Sequence, residues 1–213
     1  MSPSEQGARQ VVRRSTDPQT RQATRERLLR SAAREFSQIG FDQANINTIA
    51  EQAGLGKGTI YLYFPSKHDL FLELLQAIAM RQLAVVRAAL ASKPTIQGQL
   101  EALWLAFVRL AVEDTEGFQV YMSALYGVNR AFQAEATALL REYMSLLSSI
   151  LAKAGHSNQP PQPELEIRAL YLFSATESFV LAARVLGYTE QQLAALAPSI
   201  ATLLMYGLPG THK

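Results

Sequence analysis

Between Asn45 and Lys67 the sequence forbids any long regular element. Gly54, Gly56 and Gly58 stand close together, and Pro65 follows soon after. A helix can start behind Asn45, a good N-cap, and ends near Gly54. A second can open at Gly56 but stops near Phe64, because Pro65 cannot continue it. Two very short helices joined by a tight turn are the expected result. Ala50 and Gly54 are small enough for the close contact, and Leu55 and Ile60 form a buried wedge beside Ile49 and Phe64. Lys57, Gly58, Thr59, Tyr61, Leu62 and Tyr63 remain for the outer side of the second helix. This layout is that of a helix-turn-helix and points to double-stranded DNA as a partner. The polar side chains supply hydrogen bonds to phosphates and bases, and Gly58 lets the backbone approach closely. Lys67, at the start of the next helix, offers a further charge to a phosphate beside free N–H groups.

The charge distribution agrees. Residues 1–67 carry ten Lys/Arg and six Asp/Glu, a net of +4, whereas the remainder of the 213 residues has a net of −2. Release of counter-ions from phosphates favours the positive end as the DNA-facing one. Hydrophobic residues make up 48% of the chain, enough for a sizeable core, and cysteine is absent. Disulfides, thiolate zinc sites and cysteine nucleophiles are therefore excluded, and a cytoplasmic location is expected. No secretory signal or uninterrupted apolar run of membrane-spanning length is visible, so no membrane partner is expected.

Apolar spacing of helical period runs through most of the chain, and no segment alternates at period two. Residues 1–19 read as a disordered basic arm. A first helix follows from about Thr20, with Leu28, Ala32, Phe36 and Ile39 on one stripe and Gly40 as its stop. Ser66, with Asp69 three residues on, caps a long helix over 66–91 that connects two regions: a DNA-binding domain over 20–67 and a regulatory and dimerisation domain over 68–213. Helices are expected at about 95–112, 118–126 and 129–154. The Pro- and Asn-containing stretch His156–Pro163 reads as a linker, and helices at 163–186 and 189–206 end the chain, with Pro198 kinking the last. The fold class is thus all-α, with about nine helices.

The segment Arg25-Glu-Arg-Leu-Leu-Arg-Ser-Ala-Ala-Arg-Glu-Phe-Ser-Gln-Ile-Gly-Phe, then Ile49-Ala50 and Ala53-Gly54-Leu55, then Lys57-Gly-Thr-Ile-Tyr-Leu-Tyr-Phe-Pro-Ser-Lys67, resembles the N-terminal domain of TetR-family transcriptional regulators. The resemblance covers about residues 22–80. It implies a homodimer with each third helix in a major groove. Lys57, Thr59, Tyr61, Leu62 and Tyr63 would then lie at the DNA, with Asn47 near the start of the second helix, next to its cap Asn45, as a further contact. Two positions depart from the family pattern. Gly56 stands where a hydroxyl residue is usual, and Leu62 stands where an aromatic or His is common, so Leu62 offers a thymine methyl only an apolar surface.

The resemblance also implies a regulatory domain that binds a small, largely apolar effector, and a repressor released from a palindromic operator by it. Trp104, Phe107, Phe118, Tyr121, Met122, Tyr126, Phe173, Thr176, Glu177 and Val180 are the candidate pocket residues; each aromatic, like Phe132 and Phe179, reads more readily as core when taken singly. Arg109 and Ser174 are further polar groups to follow. Glu177 stands among apolar neighbours and needs a partner or a ligand. The helices at 163–186 and 189–206, rich in Ala and Leu, are the expected dimer contact as a four-helix bundle. No enzymatic activity, cofactor or metal site is expected. Gly54-Leu-Gly-Lys-Gly-Thr is not a phosphate loop, since Gly58 separates Lys57 from Thr59. His68, His156 and His212 are scattered, and no catalytic constellation is evident. A regulator acting through protein contacts alone is the second reading, favoured by a closed regulatory core.

Overall fold

The computed structural model describes residues 17–127, 130–154 and 162–206. Among them nine α-helices and two short 3-10 turns carry the chain. The expected arm falls outside these residues up to Thr16, as do the histidines at 156 and 212 and the linker through Pro161. Asp17 caps α1 (Pro18–Gln43), its carboxylate accepting from the Gln19 and Thr20 amides, so this helix starts slightly before Thr20. Gly40 interrupts it at φ 76°, a conformation an L-residue adopts at a cost. Leu28, Ala32 and Phe36 are buried as their spacing suggests, but Ile39 is half-exposed. Asn45 caps α2 (Ile46–Gln52) by accepting from the Asn47 amide at 2.9 Å.

The expected third helix is shorter than its pattern suggests. Only a 3-10 turn, Ile60–Leu62, forms. Thr59 donates to Gly56 O, Leu62 to Thr59 O and Tyr63 to Ile60 O, all three-residue spacings. Gly58, β-branched Thr59 and Ile60, and two tyrosines are poor helix formers, and Pro65 leaves no length over which propagation could offset nucleation.

The long helix α3 (Lys67–Ala91) begins at Ser66, whose hydroxyl accepts from the Asp69 amide. By length and composition α3 could cross a membrane, although Asp69, Glu73, Arg81 and Arg87 interrupt its apolar run. Its apolar residues are used inside the protein instead: Leu70, Phe71, Leu74, Leu75, Ile78 and Leu83 are buried, and Glu73, Arg81 and Arg87 form ion pairs.

The C-terminal helices surround α4 (Ile96–Glu113), which buries Leu100, Leu103, Trp104, Phe107 and Leu110. Around it pack α3, α5 (Thr115–Tyr126), α7 (Gln162–Val185), α8 (Glu190–Ala195) and α9 (Ala197–Tyr206), while α6 (Gln133–Ala154) joins α7 on the outer side. The expected single terminal helix is two. Its first part is closed by a capping box between Thr189 and Gln192 and ends at Leu196. Pro198 then sits in the first turn of α9, where its missing N–H leaves no bond broken, so it starts a helix instead of kinking one.

A cluster of rings joins the two halves. Phe132, in the 3-10 turn Arg130–Phe132 before α6, lies 4.6 Å from Phe41 and 4.2 Å from Phe71, ring centre to ring centre, and Phe71 is 5.0 Å from Phe36. Arg81 of α3 adds an ion pair to Asp114, the residue that caps α5 by accepting from the Gly117 amide.

Candidate functional site

Ile60 and Phe64 anchor the 3-10 turn in the core, with Ile49 and Ala50 of α2 beneath, while Tyr61 and Leu62 between them are exposed. Lys57 is 66% exposed, Tyr61 51% and Leu62 59%. Asn45 and Gly58 are also exposed; Asn47, Thr59 and Tyr63 are half-buried, and Tyr63 packs against the core. Lys57 pairs with Glu51 at 3.3 Å, an exposed pair of little energy that leaves the ammonium available. A Cβ built on Gly58 meets no atom within 4 Å, so the space above that backbone is open. Lys67 has a different environment from its expected phosphate role. Its ammonium donates to Asp42 O at 3.1 Å and Ala44 O at 3.0 Å and lies over the Phe41 ring, binding the end of α1 to the start of α3.

Three groups outside the motif hold this surface in place. Arg25 of α1 is ion-paired with Glu73 of α3, lies 4.7 Å over the Phe64 ring and donates to Tyr63 O. The Glu73 carboxylate raises the Arg25 pKa above its ordinary value. Arg27 donates to Ala53 O at the turn. Buried Glu35 accepts from the Asn45 amide at 3.3 Å and from Gln52 Nε2 at 3.1 Å. Their partners lie far away in sequence, so only the charged faces of α1, not the pairing, were visible as a pattern.

The candidate pocket residues fall into three groups. Phe107, Phe118, Tyr121, Phe173, Glu177 and Val180 are buried together with Trp104 and Thr176. Trp104 and Thr176 satisfy themselves within the protein: the indole donates to Leu193 O at 2.7 Å, and the threonine hydroxyl to Leu172 O at 2.7 Å. Met122 is half-buried and Tyr126 is mostly exposed. Arg109 turns to solvent and pairs with Glu113, so it is no part of the cluster. Phe107, Tyr143 and Phe173 form a triangle of rings, with Tyr143 and Phe173 5.0 Å apart. Tyr143 was missed in the sequence, because its helix packs on α7 only through tertiary contacts.

Glu177 is 1% exposed, and neither carboxylate oxygen has a hydrogen-bond partner; the buried Tyr121 hydroxyl has none either. Burial pushes the Glu177 carboxyl up to about 8. The Tyr126 hydroxyl stands near enough to oppose that rise, though without hydrogen-bond geometry. Burial, and then the Glu177 charge, raises the Tyr121, Tyr126 and Tyr143 hydroxyls. Open grooves lie elsewhere: one of about 560 Å³ between α3 and α6 is lined by Leu75, Ala79, Met80, Leu83 and Leu139, and none of the candidate pocket residues reaches it.

An N-terminal helix-turn-helix on a helical C-terminal domain defines a DNA-binding transcriptional regulator. The chain belongs to the TetR family of such proteins: residues 28–74 match the family described as bacterial regulatory proteins, tetR family. Double-stranded DNA is its partner in that role, which is regulation and not enzymatic catalysis. Among its relatives, the fatty acid metabolism regulator protein of Bacillus subtilis is 24% identical over 182 residues, covering 85% of this chain and 93% of the relative. The HTH-type transcriptional regulator YdgC of the same organism is 28% identical over 190 residues, 87% and 92% of the two chains. The fold is shared with the fatty acid degradation regulator FadR of Bacillus halodurans, at a TM-score of 0.75 and 23% identity over 87% of this chain and 96% of that one. It is shared also with FadR of B. subtilis in complex with stearoyl-CoA, at 0.74 and 22% over 86% and 98%.

Proposed function

We propose that this chain is a homodimeric repressor, acting in the bacterial cytoplasm, that leaves a palindromic operator when an acyl-type amphiphile enters its C-terminal domain. The DNA-reading part rests on one observation: Lys57, Tyr61 and Leu62 form an exposed rim over a turn whose Ile60 and Phe64 are locked in the core. In this reading Lys57, Thr59, Tyr61 and Tyr63 meet phosphates and base edges. Gly58 brings backbone to the groove, Leu62 offers an apolar surface, and Asn45 and Asn47 flank it. Lys67 braces the surface from behind. Two such rims about 34–36 Å apart would read half-sites one turn apart.

The dimer contact is assigned to α7 with α9. Ile167, Leu170 and Tyr171 make an exposed apolar row on α7, continued by Phe179, Val185 and Leu186, with Leu203 on α9. The acyl character of the effector is taken from the fatty acid regulators and from the stearoyl-CoA held by the B. subtilis protein. An effector acts only through a difference in affinity between the bound and released states. The route we assign it runs from α5 to Phe132 and the phenyl cluster of the N-terminal half.

Regulation by protein contact alone has one observation in its favour, the close packing of Phe107, Tyr143 and Phe173; the two unpartnered Glu177 oxygens weigh against it. The test is a fluorescence titration of the full chain against the palindrome near its own gene. Lys57→Ala with Tyr61→Ala is expected to weaken binding by on the order of a hundredfold and to make its salt dependence shallower. Unchanged affinity and slope would remove this turn from the DNA. Decanoyl-CoA is expected to release the wild-type complex.

A further inference from the structure

Two helices deliver tyrosine hydroxyls around a single buried carboxyl on a third. Tyr121 and Tyr126 come from α5, Tyr143 from α6, and Glu177 from α7, one turn beyond Phe173. From α4 the same layer receives Trp104 and Phe107, which carry no charge. Among the described residues no Lys, Arg or His bears on Glu177: burial and the Tyr126 hydroxyl are the influences on it. The arginines of α4 and early α7 pair outside, Arg109 with Glu113 and Arg168 with Glu164. Ser174, half-buried beside Tyr126, completes the polar groups. The cluster reaches the protomer surface at Tyr126, which is 57% exposed.

A carboxyl in such a place is compatible with a proton, a cation or a neutral hydrogen-bonding group. Once ionised, it is incompatible with a second carboxylate, because two adjacent carboxylates cannot both stay ionised. We infer that Glu177, with Tyr121, Tyr126 and Tyr143, forms the head-group subsite of the effector, admitting an amphiphile with an uncharged amide or thioester head and rejecting a free carboxylate once Glu177 is ionised. This rests on the effector reading above and adds what that reading leaves open, namely which end group is read and by which residue. The apolar tail would lie against Phe107, Phe173 and Val180, all buried beside the cluster.

The discrimination carries its own pH signature. With its pKa near 8, Glu177 is mostly protonated near pH 7 and mostly ionised near pH 9. A protonated Glu177 can donate to an anionic head, whereas an ionised one repels it; decanoate itself stays ionised throughout this range. Isothermal titration of the full chain with decanamide, decanoate and decanoyl-CoA tests this. Decanamide should bind equally near pH 7 and pH 9. Decanoate should bind about tenfold more weakly near pH 9 than near pH 7, and more weakly than decanamide at the higher pH. Glu177→Gln, which keeps shape and hydrogen-bonding capacity, should abolish both differences. Equal binding of decanoate and decanamide near pH 9 by the wild type, or discrimination that persists in Glu177→Gln, overturns the inference. Decanamide binding without decanoyl-CoA binding would sink the acyl-CoA effector and leave the subsite standing. Decanoyl-CoA binding with neither small probe would do the reverse, and no binding by any probe refutes both.

Discussion

Replacing Gly54 by Ala strikes the turn after α2 in two ways at once. Gly54 has φ 68°, where an L-residue is strained by about 1–2 kcal/mol. The added Cβ would also stand 2.9 Å from Arg27 Nη2, the group that donates to Ala53 O. The guanidinium can move aside, but it then weakens a hydrogen bond with a net value of about 1 kcal/mol. Together these predict a loss of about 2–3 kcal/mol. For a chain of this size that corresponds to a fall in Tm of roughly 4–12 °C. Differential scanning fluorimetry of the full chain reads it directly. Gly58→Ala is the matched control: nothing lies within 4 Å of its Cβ, so its Tm should stay within about 0.5 kcal/mol equivalent of the wild type. Yet it should weaken operator binding, because that open space is where DNA is placed. A Gly54→Ala Tm within a degree or so of the wild type would refute the strain reasoning. Full operator affinity in Gly58→Ala would refute the close approach of backbone to the groove.

Glu177 should also tie stability to pH. Its folded pKa of about 8 lies above the ordinary 4.5, so the folded state holds the proton more tightly. Stability is then fully present below about pH 4.5 and falls as pH rises towards about 8; Glu177→Gln should raise Tm near pH 9 and much less near pH 5, as a thermal-shift series would reveal. Phe132→Ala removes a buried ring from the phenyl cluster and should cost about 3–5 kcal/mol in denaturant titrations. The milder Phe132→Leu should retain the fold while weakening the effect of decanoyl-CoA on operator binding. Ile167→Glu with Tyr171→Glu places charge on residues 68% and 69% exposed, so it should leave the protomer folded, produce monomers in analytical ultracentrifugation and abolish tight operator binding.

Much of the helical order is legible in local chemistry. Asn45, Ser66, Thr95 and Thr189 each accept from an amide in the turn that follows, and a short polar residue before an apolar run signals this in sequence. Gly40 and Gly54 mark their stops for the same local reason. Two expectations failed where competing local effects had to be weighed. The third helix had length and propensity for only one α-type bond, Phe64 N–H to Ile60 O, and Pro198 could start a helix as readily as bend one. The braces Arg25–Glu73 and Arg27–Ala53, the redirection of Lys67 and the meeting of Phe41 with Phe132 depend on tertiary placement, and no nearby residue announces them. For the pocket, Glu177 was conspicuous as an acid among apolar neighbours, whereas Tyr143 looked like any core aromatic.

The insertion of Phe132 among Phe36, Phe41 and Phe71 bears on how the molecule can be divided. A fragment cut after Ala91 would keep the reading turn but lose the ring that covers its phenyl floor, so excision should yield a sticky, poorly folded piece. Transplanting the N-terminal segment onto another effector-binding body would accordingly require carrying over the plug as well. Modularity in this protein stops at a single aromatic residue.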